Sequence, residues 1–301
     1  MKKKLTVLLL SSFVLSTVIG CNSSQRISTA TINKATSQSV LSKSVKSDWF
    51  SSLKTDTQAY YKSAEGKTGE ALFDELHNII SKNNKISGYN DSKGYMYSTV
   101  DNITVNGVTG IIDAYSQVFL PGKGSNGGAY KEKGDQNGDG KSGDFINCEH
   151  TWPQSFFKES LPMVGDLHHL QSTLSVPNNR RWHLPFGVVT DKVEYSTASG
   201  SKLANGIFEP NDADKGNTAR ALLYFYVRYY NADIRSGEFD QEKFWASKVP
   251  TFLKWNQMDP PDANEIRRNE IIFQKQGNRN PFIDANQLAD LIGEQVLETK
   301  K

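Results

Sequence analysis

The feature that most constrains this chain is a short run in its middle, NCEHTWPQSFF, over residues 147–157. An alternating apolar stretch, DFINCEH, ends there in a carboxylate and an imidazole, Glu149 and His150, and Trp152-Pro153 then stops the strand. The pattern predicts a β-strand that carries both side chains to its carboxyl end. Because neighbouring strand residues point to opposite faces, both can reach one cleft only where the strand bends or twists.

Several kinds of chemistry fit this strand end. Glu149 can hold a hard cation such as Mg²⁺, which takes one or two protein oxygens besides water and substrate phosphate. A neutral His150 can take a proton from water near neutral pH. The alternatives are an ordinary packed strand end, a thiol nucleophile at Cys148, and a zinc site formed by Cys148, His150, His168 and His169. The spacing matches no compact zinc module, and Cys148 is interpreted as a small buried residue opposite Glu149.

A second polar segment, GDLHHLQSTLSVPNNRRWHLPFG, covers residues 165–187. It contains three of the five histidines of the chain, an Asn pair and an Arg pair. Ser175 and Pro177 are typical of a helix start, so we expect residues 178–181 in a first helical turn. An amide oxygen there can complete a hard metal site, and a guanidinium can bind phosphate through two parallel hydrogen bonds.

Together the two segments resemble the endonuclease I family of exported bacterial nucleases, which belongs to the His-Me finger (ββα-metal) superfamily. The family pattern is Glu-His-x-Trp-Pro, then Asp-Leu-His-His/Asn-Leu, then an Asn with an Arg three places on, then Pro-Phe-Gly. Three further blocks resemble the family: YYKSAEGKTGEALFDELHNII, FEPNDADKGNTARALLYFYVRY and RNEIIFQKQGNRNPFID. The resemblance therefore covers about residues 59–295.

By position, the resemblance implies that His150 is the general base that activates water for attack on phosphorus. It implies that Glu149 and an Asn hold one Mg²⁺, which stabilises the transition state and the leaving 3′ oxygen. The pattern places this Asn at Asn178, with Asn179 as the alternative, and the family Arg at Arg181, as a catalytic phosphate contact. The residues expected to bind nucleic acid are Arg180, Arg181 and Arg279.

The sequence also departs from the family pattern. Pro177 precedes a doubled Asn, and Trp182-His183 replace the small residue and the Asn that usually follow the Arg. The cysteine-rich insert of some periplasmic relatives is absent. These differences concern the fine geometry of the site and leave the fold assignment intact. Asp166 and His168 are interpreted as residues that orient the motif without touching metal.

Periodicity predicts helices and hairpins without a regular strand–helix alternation, which favours an α+β fold over a doubly wound sheet. Apolar stripes at helical spacing run through GEALFDELHNIISK, NTARALLYFYVRYY and PDANEIRRNEIIFQKQG, the last ended by Gly277. Asn106-Gly107 predicts a hairpin turn. The expected architecture is a single domain of mixed helices and hairpins over residues 49–301. The resemblance implies that a His-Me finger motif is embedded in it.

The first 20 residues have the pattern of a secretory signal, with a basic MKKK followed by a short apolar stretch. The ending VIGC resembles a bacterial lipobox, which predicts that Cys21 is lipidated and anchors the chain to a membrane. The alternative is a plain signal peptide cleaved nearby. Residues 21–48, rich in Ser and Thr, are expected to form a flexible tether. The expected location is an exported lipoprotein facing the periplasm or the exterior, or released from the cell.

Overall charge and cysteine content add two limits. Only Cys148 remains if Cys21 carries lipid, so no disulfide is expected. The chain has 35 basic and 33 acidic residues, and loss of the three lysines at positions 2–4 with the signal leaves 32 against 33. Any surface that binds nucleic acid must therefore be local. No obligate protein partner is indicated.

A separate stretch, DQNGDGKSGD, has the start of a calcium-binding loop over residues 135–144. Its alternating oxygen-bearing residues are Asp135, Asn137 and Asp139. The Glu that ends such loops is missing, since position 146 is Ile, although Asp144 can replace it. A structural Ca²⁺ site and a hydrophilic Gly-rich loop both fit this stretch.

The sequence thus predicts a secreted or surface-tethered, Mg²⁺-dependent endonuclease that hydrolyses DNA and RNA with little sequence preference. The resemblance implies products with 5′-phosphate ends. The alternative is a non-catalytic surface lipoprotein of the same fold that binds calcium or nucleic acid. The intact set of Glu149, His150 and Asn178 argues against that alternative.

Overall fold

The computed structural model describes residues 49–82, 85–86, 88–122, 130–135, 138 and 140–301. These residues all fall within one unit, Val45–Lys301. Helices and small antiparallel sheets alternate irregularly along it, which confirms the predicted α+β class. The predicted signal peptide, Cys21 and the Ser/Thr-rich tether lie outside the described residues.

The helices surround a central one, α5. In chain order they are α1 (Thr55–Tyr61), α2 (Gly69–Ile80), α3 (Tyr89–Tyr95), α4 (Ser175–Arg181), α5 (Lys215–Tyr229), α6 (Val249–Met258), α7 (Ala263–Gln276), α8 (Pro281–Asp284), α9 (Gln287–Ile292) and α10 (Glu294–Thr299). The three predicted helices correspond to α2, α5 and α7, and Gly277 ends α7 with a left-handed φ of 89°. Within the described residues, no helix combines the length and the apolarity needed to cross a bilayer.

Helix α5 is buried on almost every face, including its two arginines Arg220 and Arg228. A buried guanidinium is tolerated only where a carboxylate and further acceptors surround it. Arg220 donates through Nε to Glu265 at 2.7 Å, and Arg228 donates through Nη1 to Asp166 at 2.8 Å. The helix therefore connects the C-terminal helices on one side with the central loop on the other.

Three small antiparallel sheets complete the fold of the described residues. The first contains β1 (Ile103–Val105), β2 (Val108–Ile112) and β3 (Phe119–Pro121), the second β4 (Ile146–His150) and β5 (Leu170–Leu174), and the third β6 (Tyr195–Ser196), β7 (Lys202–Ala204) and β8 (Ile207–Glu209). Asn106 and Gly107 form the predicted turn between β1 and β2, with φ of 50° and 80°. Positive φ at both positions is the geometry of a type I′ turn, which matches the twist of the two strands.

The second sheet and α4 form a strand–strand–helix unit. Glu149 pairs with Gln171 and His150 with Leu170, and β5 passes into α4 at Ser175 without a loop. The start of the helix agrees with the sequence prediction, but the helix has only seven residues. Asn178 therefore closes the first turn, as predicted, whereas residues 179–181 lie in the second.

Trp152 joins this unit to the main core. Its indole is fully buried, stacks on Phe225 of α5 with ring centroids 5.2 Å apart, and donates through Nε1 to the carbonyl of Ile234 at 3.0 Å. Aromatic burial of this kind is a large contribution to stability, and the bonded N–H removes the cost of a buried polar atom. The Trp-Pro step after His150 thus fixes the end of β4 against α5.

Candidate active site

Glu149 and His150, the last two residues of β4, line a pocket of about 330 Å³. Helix α4 forms another wall of the same pocket and contributes Asn178, Asn179 and Arg181. The structure therefore brings together the predicted base, the predicted carboxylate ligand and both candidate Asn residues. It does so because β5 leads directly into α4 beside its partner strand β4.

His150 is held in one orientation by the backbone. Its Nε2 lies 3.0 Å from the carbonyl oxygen of Val164. Because a carbonyl can only accept, Nε2 carries the proton and Nδ1 presents a lone pair. Burial, together with the nearby His169, lowers the pKa of His150 to about 3, so the imidazole is neutral at pH 7.

Glu149 is buried and held through one of its two oxygens. Oε1 accepts a hydrogen bond from the Tyr115 hydroxyl at 2.7 Å and forms an ion pair with Arg181 Nη1, also at 2.7 Å. Oε2 takes part in neither bond. Burial raises the pKa of the Glu149 carboxyl, and the Arg181 guanidinium and the Tyr115 hydroxyl act in the opposite direction. No local sequence pattern pointed to Tyr115, because it lies 34 residues away from Glu149 in the chain.

Arg181 is held by groups of the protein itself. Its side chain is only 1% exposed, and besides its ion pair with Glu149 it donates to the carbonyls of His150 at 2.9 Å and Thr151 at 2.6 Å. Its guanidinium also packs over the ring of Phe186, 4.3 Å from the centroid. Both of its terminal nitrogens are engaged, so Arg181 positions Glu149 and the end of β4. It also lines the pocket, and its contact with a substrate phosphate stays a prediction.

The other two predicted basic residues have different surroundings. Arg180 is exposed, with its guanidinium 5.5 Å from the centroid of the Tyr195 ring. Arg279 is only 6% exposed and pairs with Asp284 and Glu270, with its Nε and Nη1 each 2.7 Å from a carboxylate oxygen. The structure does not place Arg279 at the pocket. This environment disagrees with the predicted contact of Arg279 with nucleic acid, because its guanidinium is buried and already paired with both carboxylates.

The structure does not form the alternative zinc site of Cys148, His150, His168 and His169. Nε2 of His168 lies 3.0 Å from the carbonyl of Asn278, and Nε2 of His169 lies 2.7 Å from that of Met163. Among the residues that the structure describes, no three His, Cys, Asp or Glu side chains are placed to hold a metal ion. Cys148 is buried in a second apolar cluster behind β4 and β5, where burial raises the pKa of its thiol. A thiol in that state is a poor nucleophile.

Asp166 organises the loop between β4 and β5. It is fully buried and accepts from Arg228, from the hydroxyls of Tyr224 and Tyr229, and from Gln276. Burial alone would raise the pKa of this carboxyl, but Arg228 and the hydrogen-bond donors lower it to about 2. Asp166 therefore ties the site loop to α5 and α7 and contacts no pocket atom.

Of the predicted calcium loop, only part lies in the described residues. Both carboxylate oxygens of Asp135 accept backbone N–H groups, from Gly138 and Gly140, each at 2.8 Å. Asn137 and Asp139 lie outside the described residues. The contacts of Asp135 are those of a tight Gly-rich turn.

The donor atoms at the pocket fit a hard cation. Glu149 offers a carboxylate, and Asn178 or Asn179 an amide oxygen, in the lining of the same pocket. Mg²⁺ prefers such oxygen donors in small number and completes its octahedron with water and substrate phosphate. The residues present therefore agree with the implied Mg²⁺ site.

Comparison with known proteins indicates the family to which this chain is similar. The family model described as Endonuclease I matches residues 68–287. The extracellular ribonuclease of Bacillus amyloliquefaciens is 35% identical over 246 residues, covering 79% of this chain and 78% of the relative. The extracellular ribonuclease of Bacillus subtilis (strain 168) is 34% identical over 246 residues, covering 79% of each chain. Endonuclease-1 of Buchnera aphidicola subsp. Baizongia pistaciae is 28% identical over 147 residues, covering 48% of this chain and 53% of the relative.

The matched region includes every element that builds the pocket. It begins just before α2 and ends in α9, so it contains the strand–strand–helix unit, Tyr115 and the helix α5 that supports Asp166. A match of this extent, together with two relatives above 30% identity along most of their length, settles the family. The chain is a nuclease that belongs to the endonuclease I family.

Proposed function

We propose that this protein is an exported, Mg²⁺-dependent endonuclease that hydrolyses phosphodiester bonds of DNA and RNA with little sequence preference. The observation that carries the proposal is the convergence of the Glu149 carboxylate, His150 and the Asn178-Asn179 amides on one pocket. The strand–strand–helix order of β4, β5 and α4 supports the proposal that the motif is a His-Me finger. The relatives named extracellular ribonuclease and Endonuclease-1 support export, an RNA substrate and internal cleavage.

In the proposed mechanism, His150 acts as the general base. Nδ1 accepts a proton from the water that attacks phosphorus, while the Nε2 proton stays on the ring, hydrogen-bonded to the Val164 carbonyl. That hydrogen bond fixes the tautomer and the plane of the ring. His150 therefore needs no reorientation before it can take the proton.

Glu149 and Asn178, with Asn179 as the alternative, would hold Mg²⁺. When bound, the ion supplies stabilisation of negative charge on the scissile phosphate and on the leaving 3′ oxygen, which leaves 5′-phosphate ends. Tyr115 and Arg181 hold the Glu149 carboxylate from Oε1. These two donors limit the movement of the carboxylate between the free and the metal-bound protein.

The low sequence preference follows from the kind of contacts available. Contacts with phosphate and sugar position a nucleic acid without reading its bases. Arg180, exposed on the same helix as the Asn pair, is suited to such a contact. The near-zero overall charge means that binding depends on residues close to the pocket.

Replacement of Glu149 by glutamine tests the metal site. We expect the variant to lose at least about a hundredfold in cleavage rate with Mg²⁺, and the wild type to stop in EDTA, because charge stabilisation by the ion is removed. Plasmid DNA and single-stranded RNA serve as substrates, followed on gels. A matched control is Glu159→Gln, an exposed carboxylate at the rim of the same pocket, which should keep its rate within a few-fold.

Cleavage that continues in EDTA, or in the Glu149 variant at the control rate, would refute the metal mechanism. A wild-type protein that binds nucleic acid but never cuts it would favour the non-catalytic lipoprotein instead. Removal of the product 5′-phosphate with phosphatase, followed by a gel-mobility shift, checks the predicted ends.

We also propose that Cys21 carries a lipid anchor. Cys21→Ser is expected to move the protein from the detergent phase to the aqueous phase in a detergent partition assay, because lipid attachment needs the thiol. Cys148→Ser is the matched control, since this buried cysteine should not affect partition. Equal aqueous partition of the wild type and the Cys21 variant would exclude the anchor.

A further inference from the structure

One tryptophan of this chain stands apart from the rest. The chain has five, and the structure describes all of them. Trp49, Trp152, Trp245 and Trp255 are at most 3% exposed, whereas Trp182 is 63% exposed. A large aromatic side chain left in solvent forgoes the burial that stabilises the other four. Its exposure therefore suggests a partner outside the protein.

Trp182 lies beside the chemistry of the site. It follows α4 directly and lines the same pocket as Glu149 and His150. Its φ is 49°, in the left-handed region that a bulky residue rarely adopts. Its backbone N–H donates to the carbonyl of Asn178 at 2.8 Å, so the backbone of Trp182 is fixed at the end of the helix.

The indole is the outermost ring of an aromatic column. Buried Phe156 lies at the base, with its ring centroid 6.0 Å from that of His183, and the His183 centroid lies 3.3 Å from that of Trp182. The His183 and Trp182 planes differ by 31°, and His183 Nε2 lies 2.9 Å from a Glu238 carboxylate oxygen. The ring of Trp182 thus rests on a fixed neighbour, and a further flat ring would extend the column into solvent.

The surroundings favour stacking over charge as the source of affinity. Two carboxylates, Glu159 and Glu238, are exposed near the rim, while Arg180 is the exposed cation at the end of α4. The two carboxylates offset part of the attraction that Arg180 exerts on a polyanion. Stacking on an aromatic ring is insensitive to these charges, and it tolerates any sequence because every nucleobase has a π face.

We propose that Trp182 forms a stacking subsite for an unpaired nucleobase next to the scissile phosphate, so that single-stranded nucleic acid is the preferred substrate class. The inference rests on the proposed nuclease function. A base within a duplex is already covered on both faces and must first be extruded at an energetic cost. A base in a single strand offers its face directly.

Intrinsic fluorescence tests the subsite without cleavage. A short oligothymidylate is titrated into the protein in EDTA, and the emission of the exposed tryptophan is followed. We expect saturable quenching in the wild type and its loss in Trp182→Phe, since the other four tryptophans are at most 3% exposed. Quenching of equal amplitude in Trp182→Phe would overturn the proposal.

Kinetics then assigns the role in the reaction. Trp182→Ala is expected to raise KM for single-stranded DNA or RNA by about tenfold to about a hundredfold, with a small change in kcat and in duplex cleavage. Trp182→Phe should recover most of the loss. Met258→Ala, which shortens another exposed apolar side chain away from the pocket, is the control and should match the wild type.

Three outcomes would overturn the subsite: an unchanged KM in Trp182→Ala, equal losses on single strands and duplexes, or a loss confined to kcat. Failure of the proposed function is distinguishable from these. In that case the wild type cleaves neither substrate, and the fluorescence titration still decides whether Trp182 stacks on a base.

Discussion

Replacement of His150 by alanine is expected to lower the cleavage rate by about 10² to 10⁴ and to leave the fold intact. The reason is that His150 lines the pocket and Nδ1 keeps a free lone pair, since Nε2 donates to the Val164 carbonyl. Alanine removes the acceptor for the proton of water and leaves Glu149 and the Asn pair in place. The measurement is single-turnover cleavage of plasmid DNA and of RNA with Mg²⁺.

His77→Ala is the matched control for this variant. His77 also bonds a backbone carbonyl through one ring nitrogen, with Nδ1 2.9 Å from the oxygen of Val227, but it lies on α2 outside the pocket. Its variant should cleave at nearly the wild-type rate. Added imidazole should restore part of the rate of the His150 variant only, because the truncated side chain opens onto the pocket. A His150 variant that keeps more than about a tenth of the wild-type rate would exclude His150 as the base.

Replacement of Asp166 by asparagine is expected to destabilise the fold by about 3–5 kcal/mol, the usual cost of leaving one partner of a buried ion pair alone. The variant keeps the size of the side chain but leaves the Arg228 guanidinium buried without its carboxylate. The hydroxyls of Tyr224 and Tyr229 also lose a charged acceptor. Urea denaturation followed by circular dichroism measures the free energy of unfolding.

Asp166 also predicts how stability depends on pH. Its pKa is about 2 in the folded protein, below the ordinary value of 3.8, so the folded state favours the charged form. Its contribution to stability, about 2 kcal/mol, is complete above pH 4 and is lost as the pH falls towards 2. In the Asp166→Asn variant, the free energy of unfolding should lack this decrease between pH 4 and pH 2.

A matched control for Asp166 is Asp233→Asn. Asp233 pairs with Lys158 on the surface, where both side chains are more than half exposed, so its loss should cost less than about 1 kcal/mol. Identical acid unfolding curves for the wild type and the Asp166 variant would show that the buried Asp166–Arg228 pair does not stabilise the fold.

Local sequence signals predicted the elements well. The apolar stripe of residues 69–80 predicts α2. The five apolar residues of this stripe are also the buried residues of the helix: Leu72, Phe73, Leu76, Ile79 and Ile80. Asn106-Gly107 predicts the β1–β2 turn, because few other residues adopt positive φ at both positions. Gly277 predicts the end of α7 for the same reason. These features depend on neighbours within a few residues.

The roles of the arginines were not predictable in the same way. A guanidinium at the right spacing fits phosphate and carboxylate equally well. Arg181 and Arg279 both turned out to be buried, bonded to Glu149 in one case and to Glu270 and Asp284 in the other. Which partner a guanidinium binds depends on which face of its segment is covered, and that is decided by packing.

The sequence by itself determined the elements of this protein, its family pattern, and the meeting of Glu149 and His150 with an Asn-bearing helix. The tertiary structure alone decided how these groups are held. Tyr115 reaches Glu149 from 34 residues away, Val164 fixes the tautomer of His150, and α5 supplies the partners of Asp166. Such contacts join segments distant in the chain, so they follow from the packing of the whole domain and not from any local spacing.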